Sequence, residues 1–385
     1  MPTADTLEAA AVERTGLCDF GDGGHREGLE RLIDSLQHEA ELTPIGEAIV
    51  TAQLTNLLSS RLGIEDTYRL HPEIADEHIE GPLFVVGLPR TGTTALSQLL
   101  SADPQVRFLR MWESGSPVPP PEAATQDTDP RIAEAEAATA MMYEMFPRMR
   151  QLYNAEATAA SECQDLMGMS FRTFHFDGSA HIPTYTSWVL ESDMASTYAY
   201  HRRVAHLLQW HCPPHLWHFK TPVHLFSLDA LIATYPDAKF LWSHRDPAAV
   251  LGSVCDLVHY IRSWTSDRDD SRELGATSVA AWTEAVGRAM DFRRRLGDQR
   301  FADISFGDLQ TDQVGALHDA YDHLGIPFTP ETEAAVRNWA DSHPPGRFGR
   351  HFFDLEQFGL TESAVRESFA PYIEHFDIPT TVTTI

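Results

Sequence analysis

With 385 residues, 43% of them apolar, the chain can bury a substantial core, either as one large α/β domain with additions or as two average domains. Its 56 acidic against 29 basic side chains leave a formal net charge of −27, which argues against a nucleic-acid backbone or an anionic membrane surface as partner. The four cysteines (Cys18, Cys163, Cys212 and Cys255) are scattered without a C-x-x-C pair, so neither a disulfide frame nor a zinc site is expected. The start of the chain lacks a basic, apolar leader, and no run approaches the ~18 apolar residues of a spanning helix. The expectation is a soluble, cytoplasmic protein.

In chain order, residues 1–80 read as a helical preface packed on the core, a candidate dimer contact or lid. Leu29, Leu32, Ile33 and Leu36 have amphipathic spacing, and Thr43-Pro44 is an N-cap and first-turn proline for a helix reaching Leu62. Residues 82–101, PLFVVGLPRTGTTALSQLLS, are the stretch around which the rest is built. Pro82–Val86 is a buried-strand pattern, Leu88–Gly92 a tight loop, and Ala95, Leu96, Leu99 and Leu100 recur at helical spacing. Strand, glycine loop and helix start together form an anion grip, because backbone N–H groups converge at the helix N-terminus. Arg90 adds a planar fork, and Thr93 and Thr94 add hydroxyls.

Downstream, Asp103-Pro104 marks a turn before VRFLRMWES, and the proline-rich 116–130 is a surface loop. Residues 131–212 are mainly helical, interrupted near Phe174–Pro183, and their aromatic content suits a pocket for a hydrophobic molecule. Strands are expected in LWHFKTP (216–222), AKFLWSHRD (238–246) and RFADISFGDL. Helices are expected over His224–Tyr235, Pro247–His259, Trp282–Leu296, Thr311–Leu324 and Glu362–Phe376. There is no internal repeat. Alternating strands and helices imply an α/β fold with a parallel, doubly wound sheet and its ligand at the carboxyl ends of the strands.

Gly87 and Gly92 have the separation of the nucleotide loop G-x-x-x-x-G-K-[ST], but Thr93 stands in place of its lysine and the basic residue lies inside the loop, at Arg90. Arg245, leaving a strand end, and Ser253, in the following helix, make a second set of anion ligands. On these residues, with FKTPVHLFSLDAL and KFLWSHRDPAAVLGSV between and around them, the chain resembles the PAPS-dependent sulfotransferases, most closely their bacterial branch, over roughly residues 80–376.

The resemblance implies a P-loop-like parallel β-sheet flanked by helices, divided as a helical segment 1–80, an α/β domain 81–376 with a helical acceptor-binding insertion at 131–212, and a tail 377–385. It implies 3′-phosphoadenosine-5′-phosphosulfate as donor, 3′,5′-adenosine bisphosphate as product and no metal. Arg90, Thr91, Gly92, Thr93 and Thr94 would hold the 5′-phosphosulfate, and Arg245 and Ser253 the 3′-phosphate. Phe306, in a segment similar to Y-E-D-L, would stack on adenine. Arg347 and Arg350 are the residues nearest to the family's tail motif R-K-G, which this chain does not reproduce.

Sulfuryl transfer requires cations where charge builds on the leaving oxygen, and a base for the acceptor hydroxyl. Arg90 supplies charge but cannot donate a proton; Lys220, at the strand end of HFKTP, can. Glu113, beside Trp112, is the expected base, with His175, His181 and His201 in reserve. The acceptor is expected to be a small hydrophobic alcohol, phenol or lipid. The competing readings are a P-loop-like kinase or nucleoside triphosphatase, which the missing lysine opposes, and a catalytically degenerate nucleotide binder.

Overall fold

The computed structural model describes residues 1–153, 155–213, 216–344 and 353–380. Five parallel strands form one sheet: β1 (Leu83–Gly87), β2 (Val106–Phe108), β3 (Leu216–Lys220), β4 (Lys239–His244) and β5 (Phe301–Ser305), in the spatial order β2-β3-β1-β4-β5. The expected parallel sheet flanked by helices is what forms. β1 lies at the centre, with Phe84 opposite Phe219 of β3 and Phe240 of β4.

Alternation along β1 explains the layering. Leu83 and Val85 face one side, where Leu96, Leu99 and Leu100 from the helix Thr93–Leu100 meet Leu317 and Tyr321 from Gln313–Leu324. Phe84 and Val86 face the other, which is strongly aromatic: Trp217, Phe219, Phe240, Trp242 and Phe301 pack there beneath the helices Ala195–Gln209 and Ser271–Leu296. Burial on both faces is why these strands read as continuous apolar runs.

The preface comprises three helices, Ala4–Thr15, Arg26–His38 and Pro44–Leu70. They share a separate apolar cluster with Phe171, Phe176, Tyr185 and Val189 of the insertion. Arg61, 2% exposed, pins the contact by donating to the carbonyls of Phe20 and Met169 and to Asp22.

Several boundaries differ from expectation for local reasons. The helix from Pro44 continues to Leu70, and that ending at Leu296 begins at Ser271. The expected helix His224–Tyr235 is a 3₁₀ turn, Pro222–Phe226, followed by Leu228–Thr234. The one ending at Leu324 starts at Gln313, because Asp312 caps the Gly315 N–H at 2.9 Å. Glu362–Phe376 breaks at Phe369 ahead of Pro371. The helix Pro330–Ser342 and the three-residue β2 were not anticipated. Among the described residues no helix is long and apolar enough to cross a membrane.

Candidate functional site

Because all five strands are parallel, their carboxyl ends present Gly87, Lys220, His244 and Ser305 along one edge of the sheet. The loop after β1 is tightly wound. The Thr91 hydroxyl is wholly buried, bonded to the Leu88 carbonyl at 2.7 Å and to Ser243 Oγ at 2.6 Å, so it ties the loop to β4. Arg90 takes a left-handed backbone, φ 65°. Gly92 caps the next helix at φ 94°, and a Cβ there would lie 3.0 Å from Leu309 and 3.2 Å from Phe306. Only glycine meets both constraints, and the result leaves the first N–H groups of Thr93–Leu100 without intrahelical partners. Thr93 is buried and Thr94 half-buried at that helix start.

The second expected set of anion ligands meets the first. Arg90 Nε donates to Ser253 Oγ at 3.1 Å, and Arg245 Nη1 donates to the Arg90 carbonyl at 2.9 Å. The Arg245 guanidinium lies 4.0 Å from the Phe306 ring centroid. Arg90, Ser253, Arg245 and Phe306, which span more than half of the sequence, therefore form one cluster with the loop. Burial pushes both guanidinium pKa values below their ordinary range, and for Arg245 the charge of Arg90 adds to the effect. Among the described residues neither has a carboxylate within ion-pair distance. Two half-buried arginines in contact, in a chain with a large excess of acids, concentrate positive charge beside the loop.

Lys220, 2% exposed, is paired through Nζ with Glu162 Oε1 at 2.7 Å, while Thr221 Oγ1 donates to Glu162 Oε2 at 3.0 Å. Glu162 retains 20% exposure of its side chain. It is held there by a short antiparallel pairing: Ser161 N–H to the Leu109 carbonyl at 2.7 Å, Met111 N–H to that of Ala159 at 3.0 Å, and Trp112 N–H to that of Ala157 at 3.0 Å. Sequence reasoning missed Glu162, because nothing local marks that long-range pairing.

Glu113 lies in a different environment from the one a base requires. It is wholly buried, grips Arg107 of β2 with both oxygens at 2.9 and 3.0 Å, and also accepts from Arg110 N–H and Gln126. Four donors occupy the carboxylate, and among the described residues it makes no bond to Arg90, Lys220 or the loop after β1. The reserve histidines are dispersed. His201 is wholly buried against Tyr235, His175 meets Gln53, and His181 lies near Asp270 and Glu273. Arg347 and Arg350 lie outside the described residues. The chain downstream of them crosses the helix Pro247–Arg262, where a Cβ on Gly252 would stand 2.2 Å from Phe353. Among the described residues no three His, Cys, Asp or Glu side chains cluster closely enough to hold a metal ion.

Comparison with known proteins bears on the family and the fold. Sulfotransferase STF9 from Mycobacterium avium is 33% identical, superimposes with a TM-score of 0.91 and covers 98% of both chains. Sulfotransferase STF1 from Mycobacterium tuberculosis is 32% identical at a TM-score of 0.87, over 96% of this chain and 99% of that one. A curated relative, the omega-hydroxy-beta-dihydromenaquinone-9 sulfotransferase Stf3 of Mycobacterium bovis, is 28% identical over 113 residues, a match spanning only 28% of either protein. The model of the sulfotransferase family matches residues 82–330. This chain belongs to the sulfotransferase family.

Proposed function

We propose that the protein transfers the sulfuryl group of 3′-phosphoadenosine-5′-phosphosulfate to a hydroxyl of a small hydrophobic molecule or lipid. The observation that carries this reading is the pair of half-buried arginines, Arg90 and Arg245, with no carboxylate partner among the described residues. A donor with anionic groups at both ends of a nucleoside supplies what that cluster lacks. The N–H groups at Arg90–Thr94 and the Thr94 hydroxyl bind the phosphosulfate. Arg245 and Ser253 bind the 3′-phosphate, and Phe306 offers a face to adenine. Arg347 and Arg350, which lie outside the described residues, are proposed for the 3′-phosphate as well.

Lys220 meets the charge that builds on the leaving oxygen. Glu162, in place of the expected Glu113, takes the proton of the acceptor hydroxyl, because each of its oxygens carries one protein donor and keeps a lone pair for another. For the acceptor, two features support an apolar class. The Arg90 guanidinium donates at 3.1 Å to the Leu152 carbonyl, and Leu152 belongs to a cluster of Met149, Tyr143 and Trp264 that walls this side of the site. Stf3 is named for an acceptor derived from menaquinone.

Calorimetry with 3′,5′-adenosine bisphosphate, AMP and ATP–Mg²⁺ tests the donor. Metal-free binding is expected to weaken by about ten- to a hundredfold when the 3′-phosphate is absent, and by a similar factor in Arg245→Ala. Preference for ATP–Mg²⁺ would replace this reading with phosphoryl transfer.

A further inference from the structure

The arginine of the loop after β1 is held from two sides, and the two holders are tied to each other. Arg90 Nε donates to Ser253 Oγ at 3.1 Å, and Arg90 Nη1 donates to the Leu152 carbonyl at 3.1 Å. Ser253 belongs to the helix Pro247–Arg262, whereas Leu152 ends the short helix Met149–Leu152 of the insertion. With Nε and Nη1 both committed, the guanidinium plane cannot turn freely. Its third nitrogen, Nη2, makes no hydrogen bond among the described residues and is the arm left for an anion.

A clasp between Arg148 and Asp256 closes this arrangement into a ring. Arg148 is the residue before Met149–Leu152, and Asp256 lies three positions after Ser253, on the same face of its helix. Arg148 Nη2 alone donates to both oxygens of Asp256, at 2.7 and 2.6 Å. The Asp256 side chain is buried and that of Arg148 keeps 42% exposure, so the clasp closes from the solvent side. Phe146 stacks on Trp264 with ring centroids 3.9 Å apart, and the Arg148 guanidinium lies 5.2 Å from the Tyr260 ring centroid. On the other side of Leu152, the Tyr143 hydroxyl donates to the Tyr153 carbonyl at 2.9 Å and the Tyr153 N–H donates to the Met149 carbonyl at 2.8 Å.

We propose that Arg148, acting through Asp256, is a positioning residue for Arg90. By holding the Leu152 carbonyl against Nη1, it fixes the guanidinium so that the free arm meets the 5′ end of the donor already oriented. Such preorganisation strengthens binding without adding a contact to the ligand. The inference rests on the reading given above, in which Arg90 meets the phosphosulfate.

Calorimetry with 3′,5′-adenosine bisphosphate and with adenosine 3′-monophosphate, which lacks the 5′ group, tests it. The ratio of the two affinities isolates the 5′ end, where Arg90 acts. Removing Arg148 alone leaves a buried carboxylate unpaired, so the cleaner variant is the double one, Arg148→Gln with Asp256→Asn. In it the ratio is expected to fall about fivefold, with the affinity for the 3′-monophosphate changed by less than about twofold. Arg148→Gln by itself, at a half-exposed side chain, is expected to show at least the same fall. Arg148→Lys is expected to keep the parent ratio, because a single nitrogen makes both bonds to Asp256. Amides of residues 149–153 are expected to exchange with deuterium about tenfold faster in the double variant and at the parent rate in Arg148→Lys.

A parent-like ratio in the double variant would overturn the proposal. Equal losses for both nucleotides would overturn it too, by leaving Arg148 a purely structural role. A ratio that rose would make the Leu152 carbonyl a competitor of the donor for Arg90, the opposite of what is proposed. A parent chain with no preference for the bisphosphate would refute the donor reading itself, a result distinct from a preference that the variants leave intact.

Discussion

Glu162 and Glu113 show how two carboxylates of equal intrinsic chemistry meet different surroundings. Glu113 sits in a dry pocket with four donors, and removing its charge leaves Arg107, only 8% exposed, without its counter-ion. Glu113→Gln is therefore expected to destabilise the fold by ~3 kcal/mol, visible as a lower urea midpoint, with turnover per folded molecule retained. Glu162 is partly open and spends one bond on each of Lys220 and Thr221. Glu162→Gln is expected to lower kcat by about a hundredfold or more, flatten the acid limb of the pH–rate profile, and change the affinity for 3′,5′-adenosine bisphosphate by less than about threefold. Equal losses of kcat and nucleotide affinity would reassign Glu162 to holding Lys220 in place. Reversed behaviour, with Glu113→Gln stable but inactive, would restore the role expected from the sequence.

Among the elements, the helix Pro247–Arg262 holds the site together. It carries Ser253 and follows directly on Asp246, 3% exposed, which caps its first turn and is gripped in turn by Arg366 from the C-terminal helix Glu362–Ser368. At Gly252 the segment around Phe353 lies against this helix, with Phe353 Cδ2 at 2.2 Å from a notional Cβ. Gly252→Ala is thus expected to displace the segment around Phe353 and weaken 3′,5′-adenosine bisphosphate about fivefold, with little change in melting temperature; unchanged affinity would separate that segment from nucleotide binding. The strand–loop–helix units at β1 and β4 were legible because each compresses its signal into a few contiguous residues: a buried apolar run, a glycine or arginine at the strand end, and helical periodicity immediately after. β2 was not, since three residues carry no period. The start at Ser271 was obscured by a polar first turn that periodicity cannot weigh. Glu162 escaped for a different reason: its position depends on residues 157–161 pairing with 109–112, a contact between segments far apart in sequence.

For the molecule as a whole, the core packed on the two faces of the sheet has a consequence for acid stability. It encloses histidines in their neutral form. Burial brings His201 down to about 3, and burial together with the charge of Lys220 brings His218 to about 3. Both side chains are almost wholly inaccessible, bonded respectively to Tyr235 at 2.8 Å and to Ser97 at 2.6 Å. A histidine whose folded pKa lies below its unfolded value of ~6.5 binds its proton more readily in the unfolded chain. Its contribution to stability is therefore complete above pH ~6.5 and is lost as pH falls from there toward 3, at about 1.4 kcal/mol per pH unit for each such group. Asp303 acts lower on the scale. Burial opposes its ionisation, yet hydrogen bonds from His244 and Arg293 hold it at about 2, so what it contributes is lost only between pH ~4 and 2. Urea unfolding from pH 7.5 to 5 is accordingly expected to show stability falling well above the carboxylate range, with a slope reporting two or more protons taken up on unfolding. His218→Gln, which retains a partner for Ser97, is expected to reduce that slope by about one proton whatever its effect on stability at pH 7.5. A slope that stayed near zero down to pH 5, or that His218→Gln left unaltered, would show that the core admits the charged ring. The acid sensitivity of this chain would then lie with its carboxylates alone.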